Sequence, residues 1–321
     1  MRAYLIRRLL LIIPTLFMLS LLVFFSLRFM PGDVIDVMMV EAIGRSGSSL
    51  DIDREAFEER LGLDVPAYVQ YGRWLEGIFL HGTLGESLQQ GWTVEDKMIG
   101  RLPVTIELGA LAIIIGLVIA LPVGIYSAMR QDTAADYIGR TIAIIGMATP
   151  NFWLAIMVMI YPAIWWGWSP PIEVIPFTED PLGNLGVFII PSIILGTAMS
   201  AGTMRLMRTV MLEVLRQDYV RTAWAKGLKE RVVIMRHVVK NTLIPVVTLI
   251  GAQMPLMVGG SVILENIFAL PGIGRLFLVA LNNRDYPVVQ GINLFLSIIV
   301  MLNILLIDMI YPYLDPRVRY K

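Results

Sequence analysis

The sequence contains no cysteine and only two histidines, His81 and His237. The first absence excludes disulfides, thiolate metal sites and cysteine nucleophiles. The second leaves too little imidazole for a histidine metal centre or a catalytic dyad. Charge is scarce as well: 16% of the 321 residues are Asp, Glu, Lys or Arg, against 56% hydrophobic. The mean hydropathy is +0.70. A soluble domain of this length needs far more surface charge, so the composition points to an integral membrane protein. A Gly-x-x-x-x-Gly-Lys-Ser/Thr phosphate loop is also missing, which excludes ATP hydrolysis by that route in this chain.

What the sequence has in abundance is long apolar runs. They recur at about Leu9–Phe29, Val104–Ala128, Thr141–Trp165, Val187–Met204, Leu243–Ile263 and Gly291–Tyr311, each close to the length that crosses a bilayer as a helix. The expected fold class is therefore all-α integral membrane with about six transmembrane helices. The first run, Leu9–Leu27, follows Arg2, Arg7 and Arg8 like a signal peptide. It is too long for one, and no small-residue cleavage site follows, so it reads as a retained span. Pro14, Pro122, Pro150, Pro162 and Pro255 fall inside the runs, which a helix bundle tolerates when neighbours satisfy the freed backbone groups. Gly109, Gly116, Gly196, Gly202, Gly251, Gly259 and Gly260 allow close helix approach.

Lysine and arginine orient the chain. They precede the first span, flank the second turn at Arg130 and Arg140, and follow the last span at Arg317, Arg319 and Lys321. They crowd the connection after the fourth span at Arg205, Arg208, Arg216, Arg221, Lys226, Lys229, Arg231, Arg236 and Lys240, and are absent between the third and fourth. An even number of spans with both termini cytoplasmic accounts for all of this. The segment Pro31–Pro103 then lies outside. It is acidic (Asp51, Asp53, Glu55, Glu58, Glu59, Asp64), has helical spacing over Leu50–Leu61, and places Trp74 and Trp92 where headgroups would be. It reads as a small folded cap.

The loop at Met207–Thr242 carries the most information. Leu212, Leu215, Tyr219 and Ala223 recur at helical spacing and predict one helix face. Gly227 is placed to stop that helix in a left-handed cap. A second amphipathic piece is expected over Glu230–Lys240, with Val232, Met235 and Val239 on one side. Asn241 or Thr242 would cap the fifth span, with Pro245 in its first turn. A basic amphipathic pair lying on anionic lipid and a knob pressed into a partner's groove both fit this pattern.

At these residues a resemblance becomes specific. Asp218-Tyr219-Val220-Arg221-Thr222-Ala223-Trp224-Ala225-Lys226-Gly227-Leu228 resembles the coupling motif of binding-protein-dependent ABC importer permeases. It is most similar to that of the B-type permease of the oligopeptide/dipeptide/nickel group. Ala223 and Gly227 keep the motif's spacing, while Arg221 and Thr222 replace its Glu-Ala, and Gly227 to Pro245 is longer than in the general motif. The remaining segments appear in family order. Arg7-Arg8, Ile13-Pro14 and Phe29-Met30-Pro31-Gly32-Asp33 resemble the N-terminal span, with Val34 where proline is common. Leu61-Gly62-Leu63-Asp64, Pro66, Tyr71, Trp74, Gly82-Thr83-Leu84-Gly85 and Ser87 resemble the first outer loop, with Thr83 where aspartate is frequent. Glu265-Asn266-Ile267-Phe268, Pro271-Gly272-Ile273-Gly274 and Arg284-Asp285-Tyr286-Pro287 resemble the segment before the last span. Asp308 and Asp315-Pro316-Arg317 resemble the C-terminus.

The resemblance implies a type I ABC importer permease fold: a first helix at 1–30, an extracytoplasmic cap at 31–100, a core at 101–313 with the coupling loop at 207–242, and a tail at 314–321. It implies a multi-pass protein of a bacterial or archaeal cytoplasmic membrane. The expected partners are a sister permease, two ATP-binding subunits and an extracytoplasmic solute-binding protein, with the bilayer around them and no nucleic acid. ATP and magnesium would be held by the ATPase subunits and no cofactor by this chain. Asp218, Tyr219, Arg221, Thr222, Ala223, Lys226 and Gly227 would couple to the ATPase. Asn151, Glu265, Phe268, Pro271, Gly272, Asn303 and Asp308 are candidates for the pore or gate, and Phe268–Gly274 for a re-entrant turn. Glu107, Glu265 and Asp308 are costly in hydrocarbon, yet their places near span ends favour a structural role, with water reaching Glu107 and Glu265 and Arg317 or another chain's arginine pairing Asp308. Asn151, Asn293 and Asn303 would line a pore or bond across helices. An ATP-independent secondary transporter would show internal repeats with matched broken helices, which are not found, and an intramembrane hydrolase would need a paired base inside the bilayer.

Overall fold

The computed structural model describes residues 2–28, 35 and 54–314. The Phe29–Asp33 motif with Val34, the outer-loop carboxylates Asp51 and Asp53, the Asp315-Pro316-Arg317 motif and the tail at 315–321 lie outside the described residues. Among those described the chain is helical, with a single isolated bridge between Glu86 and Thr93. Five helices are long and apolar enough to cross a membrane: Ile6–Arg28, Val94–Met129, Pro181–Leu215, Glu230–Pro255 and Tyr286–Met309. A sixth crossing is possible only as a bent pair, Ala134–Ala148 with Asn151–Trp166, which turn by 90° between them.

That bend corrects the straight third span expected over Thr141–Trp165. Pro150 has no N–H to give to a helix, and its ring drives the preceding residue out of the helical region. Thr149 accordingly sits at ψ 119° and Pro150 at ψ 134°, and Asn151 starts a new helix. Pro14, Pro162, Pro191, Pro245 and Pro255 remain inside their helices. The other spans begin or end differently from the apolar runs. The second starts at Val94, the fourth continues to Leu215 and the last starts at Tyr286, because polar residues beyond the apolar stretch keep the helical backbone bonded.

The described residues form two compact units, those up to Pro103 with Gly272–Leu302, and Val104–Pro271 with those from Asn303 onward. In the first, α1 (Arg2–Arg28), α2 (Arg54–Leu61) and α3 (Ala67–Glu76) are followed by a π turn at Gly77–His81. Tyr71 anchors α3 on α1. Its ring lies 5.1 Å from that of Phe24, and its hydroxyl is 2.8 Å from Ser20 Oγ. Arg28 bonds Gln70 and lies 3.8 Å from the Phe24 ring centroid. Val94 and Met98, at the start of α4 (Val94–Met129), pack with Ile273, Leu276 and Ala280 of a short helix over Ile273–Asn282 and with Val288, Val289 and Ile292 of the last span.

Two segments 198 residues apart meet within this unit: Ser87 donates to Asp285 Oδ2 at 2.5 Å. Leu88 N donates to Asp285 Oδ1 at 3.1 Å, and Gln89 Nε2 to the Asn283 carbonyl at 2.9 Å. Burial pushes the Asp285 carboxyl up from its usual range, while the bonds from Ser87 and Leu88 pull against that shift.

The second unit contains the rest of α4 with α5 (Ala134–Ala148), α6 (Asn151–Trp166) and α7 (Pro181–Leu215). Its outer core gathers Leu108, Ala112, Phe188, Leu195, Leu264 and Leu270. α4 and α7 cross at glycine. A Cβ on Gly116 would lie 3.0 Å from the Gly196 carbonyl oxygen, and one on Gly196 would lie 2.6 Å from that of Ala112. This is the close approach that small residues permit. Gly109 and Gly259 have open space around them instead.

Candidate functional site

α7 runs without a break to Leu215, so Leu212 and Leu215 belong to it and not to the helix carrying Tyr219 and Ala223. The break comes at Gln217, whose extended backbone (φ −73°, ψ 146°) starts α8, the eight residues Asp218–Ala225. Only Val220 and Ala223 of α8 are buried. They sit three apart on one face and pack with Met207 and Met211 of α7, Ala128 of α4, and Val233, Ile234 and Val238 further on. Burying the valine side chain is worth about 2 kcal/mol, enough to seat so short a helix. Tyr219, expected on the buried face, is 44% exposed. Its hydroxyl instead accepts a bond from Asn241 Nδ2 at 3.1 Å, tying α8 to the helix that follows.

Gly227 closes the motif as the sequence predicts. Its φ of +73° is left-handed, and its N–H donates to the Trp224 carbonyl at 2.9 Å. Asp218, Arg221, Thr222, Lys226 and Gly227 all face outward. Arg221 lies 3.7 Å from Asp218, with both side chains largely exposed, so the pair adds little stability.

The next piece differs from the amphipathic helix expected over Glu230–Lys240. A single α turn, α9 (Glu230–Val232), passes into a π-helix at Val233–Val239 and then into α10 (Lys240–Ile267). A π-helix bonds residues five apart and so winds more slowly than an α-helix, and the buried residues fall in two pairs at that spacing: Val233 with Val238 and Ile234 with Val239. Val232 and Met235 are consequently exposed. Neither Asn241 nor Thr242 caps a span, because the helix is already under way. Thr242 bonds back to the Val238 carbonyl at 3.0 Å and Asn241 to that of His237 at 2.8 Å.

The outward surface of this module carries Arg216, Arg221, Lys226, Lys229, Arg231, Arg236 and Lys240, with Tyr219, Trp224 and Leu228 among them. A short, mostly exposed helix with exposed aromatic and basic side chains suits docking in a groove on another protein.

The candidate pore or gate residues are spread over several elements. Asn151 opens α6 and is half-buried. Glu265 is fully buried, which corrects the expectation that water reaches it. It accepts a bond from Thr105 Oγ1 at 2.8 Å. Phe268 is 3% exposed and lies in the core with Leu264 and Leu270. The turn after it is closed by Leu270 N on the Glu265 carbonyl at 2.8 Å, with Ala269 at φ 55°. Pro271 is exposed, and Gly272 is the extended residue before the short Ile273–Asn282 helix. Asn303 donates to the Gly251 carbonyl at 2.8 Å, the bond across helices that the sequence reading allowed. Asp308 is half-buried, and Arg317, its expected partner, lies outside the described residues.

Sequence reasoning treated Arg208 and Arg140 only as orientation marks and did not single out Asp136. In the structure Arg208 Nε reaches Asp136 Oδ1 at 2.9 Å and Nη2 reaches Oδ2 at 2.8 Å, with the carboxylate fully buried. Removing one partner of such a pair typically costs about 3–5 kcal/mol. An acid four residues before Arg140, in the turn between two apolar runs, was the signal available in the sequence.

Residues 120–320 match the family model described as "Binding-protein-dependent transport system inner membrane component". Residues 1–109 match its N-terminal membrane-component companion. The chain is 38% identical over the full length of both proteins to the oligopeptide transport system permease protein AppB of Bacillus subtilis. It is 36% identical, again over the full length of both, to the dipeptide transport system permease protein DppB of Escherichia coli. A putative peptide transport system permease protein of Brucella abortus is 38% identical over the full length of both.

Proposed function

Because the chain belongs to the binding-protein-dependent transport system inner membrane component family and is the permease subunit of an ABC importer, we propose that it forms half of a pore for peptides or a similar small solute. A sister permease supplies the other half. Two ATP-binding subunits dock on the cytoplasmic side and hold ATP and magnesium, and a solute-binding protein delivers cargo from outside. Both termini are cytoplasmic, the cap at 31–100 faces outward, and the core at 101–313 carries the path. The names of the full-length relatives support peptide as the cargo class.

One observation carries the coupling assignment: α8 exposes six of its eight residues, is held from within by Val220 and Ala223, and is closed by Gly227 at positive φ. Asp218, Tyr219, Arg221, Thr222, Ala223, Lys226 and Gly227 form or seat the docking knob. ATPase closure would move it as a rigid body, and the packed bundle would pass between inward-open and outward-open states.

The test is capture of the ATPase subunits by the purified permease pair. Gly227→Asp should lose most capture and binding-protein-stimulated ATP hydrolysis. Gly227→Asn should keep more of both, since it enters the left-handed region as readily as aspartate but adds no charge to the basic surface. Unchanged capture and turnover in Gly227→Asp would refute the assignment.

A further inference from the structure

Asp136 lies in the first turn of α5, where a helix N-terminus favours negative charge. Its carboxylate gathers donors from three parts of the second unit. Ser127 Oγ comes from the end of α4. Asp132 N comes at 3.0 Å from the turn between α4 and α5, and the Arg208 guanidinium comes from α7 as a two-pronged fork. Arg140, one helical turn on, adds its charge at 3.4 Å. The turn is wrapped around this carboxylate. Asp132 holds φ 60°, and Thr133 bonds the Arg130 carbonyl at 2.7 Å through its hydroxyl while capping Asp136 N at 3.4 Å.

The same stretch of α7 faces two ways. Met207 and Met211 are fully buried against Val220 and Ala223 of α8, and Arg208 turns the adjacent face to Asp136. From Arg208 the helix continues to Leu215 and reaches α8 through Arg216 and Gln217 alone. Displacement of α8 therefore acts on this stretch both through the chain and through packed methionines. A charged two-point bond resists sliding and rotation in a way that apolar packing does not.

We infer that Asp136 and Arg208 are positioning residues forming a clamp that carries movement of α8 into the turn joining α4 to α5, and so into the spans on either side. The inference rests on the reading of α8 as the ATPase dock.

The experiment uses the whole importer in proteoliposomes: this permease, its sister, the ATPase subunits and the binding protein. It reads the ratio of binding-protein-stimulated to basal ATP hydrolysis per assembled complex. Asp136→Asn keeps the carboxylate's size and shape but leaves Arg208 without its counter-charge. Its stimulation ratio should fall at least about fivefold, the low end of ordinary coupling between sites, with ATPase capture retained. If Asp136→Asn does not assemble, the double variant Asp136→Asn with Arg208→Gln, which removes both charges of the two-point bond together, is read in its place and should show the same loss. An assembled variant with an unchanged ratio would mean that the pair only holds the fold, and would overturn the clamp. Gly227→Asp separates the two readings. If it retains ATPase capture, the dock is misplaced and the clamp falls with it. If it loses capture while Asp136→Asn keeps its ratio, the clamp alone is wrong.

Discussion

Replacing Gly196 by alanine tests the α4–α7 crossing directly. The added Cβ would sit 2.6 Å from the Ala112 carbonyl oxygen and 3.1 Å from Gly116 N, where ordinary contact begins at 3.4 Å. Both neighbours are backbone, so no side chain can swing away, and the helices must part by about 0.8 Å at the tighter contact. Overpacking of this kind costs about 1–3 kcal/mol. Alanine also gains about 0.8–1.0 kcal/mol over glycine in helix propensity, which partly hides the penalty. Gly109, in the facing helix α4 but with nothing within 4 Å of its Cβ position, shows that gain alone. The difference between Gly196→Ala and Gly109→Ala therefore isolates the overpacking, and Gly196→Val should enlarge it. Denaturant unfolding in bicelles, followed by intrinsic tryptophan fluorescence, measures both variants side by side. Equal stability of Gly196→Ala and Gly109→Ala would show that the two helices do not meet there.

The other expectations concern polar contacts. Asp285→Ala removes the acceptor for Ser87 and Leu88 N. Leaving them unpaired should cost about 1–3 kcal/mol and speed hydrogen exchange at Leu88. Burial raises the Asp285 pKa, so folding favours its protonated form. That contribution is full below the unfolded-state pKa and is lost as pH rises through the folded one. The unmodified protein should thus gain stability relative to Asp285→Asn as pH is lowered through the raised range, and the opposite slope in paired melting curves would contradict the burial. Glu265→Ala removes the buried carboxylate that accepts from the Thr105 hydroxyl, whereas Glu265→Gln keeps an acceptor there. The alanine variant should unfold at distinctly lower denaturant than the glutamine variant.

The spans were legible because hydrocarbon imposes a local rule. Every backbone group must be bonded within its segment, so an apolar run of bilayer length announces a helix without reference to the rest of the chain. Gly227 was legible for a similar reason, since its left-handed φ is a preference of the residue itself. The helix break at Pro150 lies on the border. Proline forbids the bond to the preceding turn, but Pro14, Pro162 and Pro255 stay inside helices under the same prohibition. Whether a proline kinks or severs depends on what surrounds it.

The face that α8 buries, and the π winding after it, came from packing. Tyr219 and Met235 satisfy a 3.6-residue pattern on paper. The core beside them takes Val220, Ala223, Val233 and Val238 instead, and the wider π winding brings the last two, five residues apart, to one side. Pairings distant in sequence left still less trace. Ser87 and Asp285 are 198 residues apart, and Asp136 and Arg208 are 72 apart. Composition and period carry only the preferences of neighbours along the chain, enough here for membrane helices and the left-handed stop at Gly227. Which buried charge faces which depends on helices brought together by the folded bundle, and that is where Asp136 became visible.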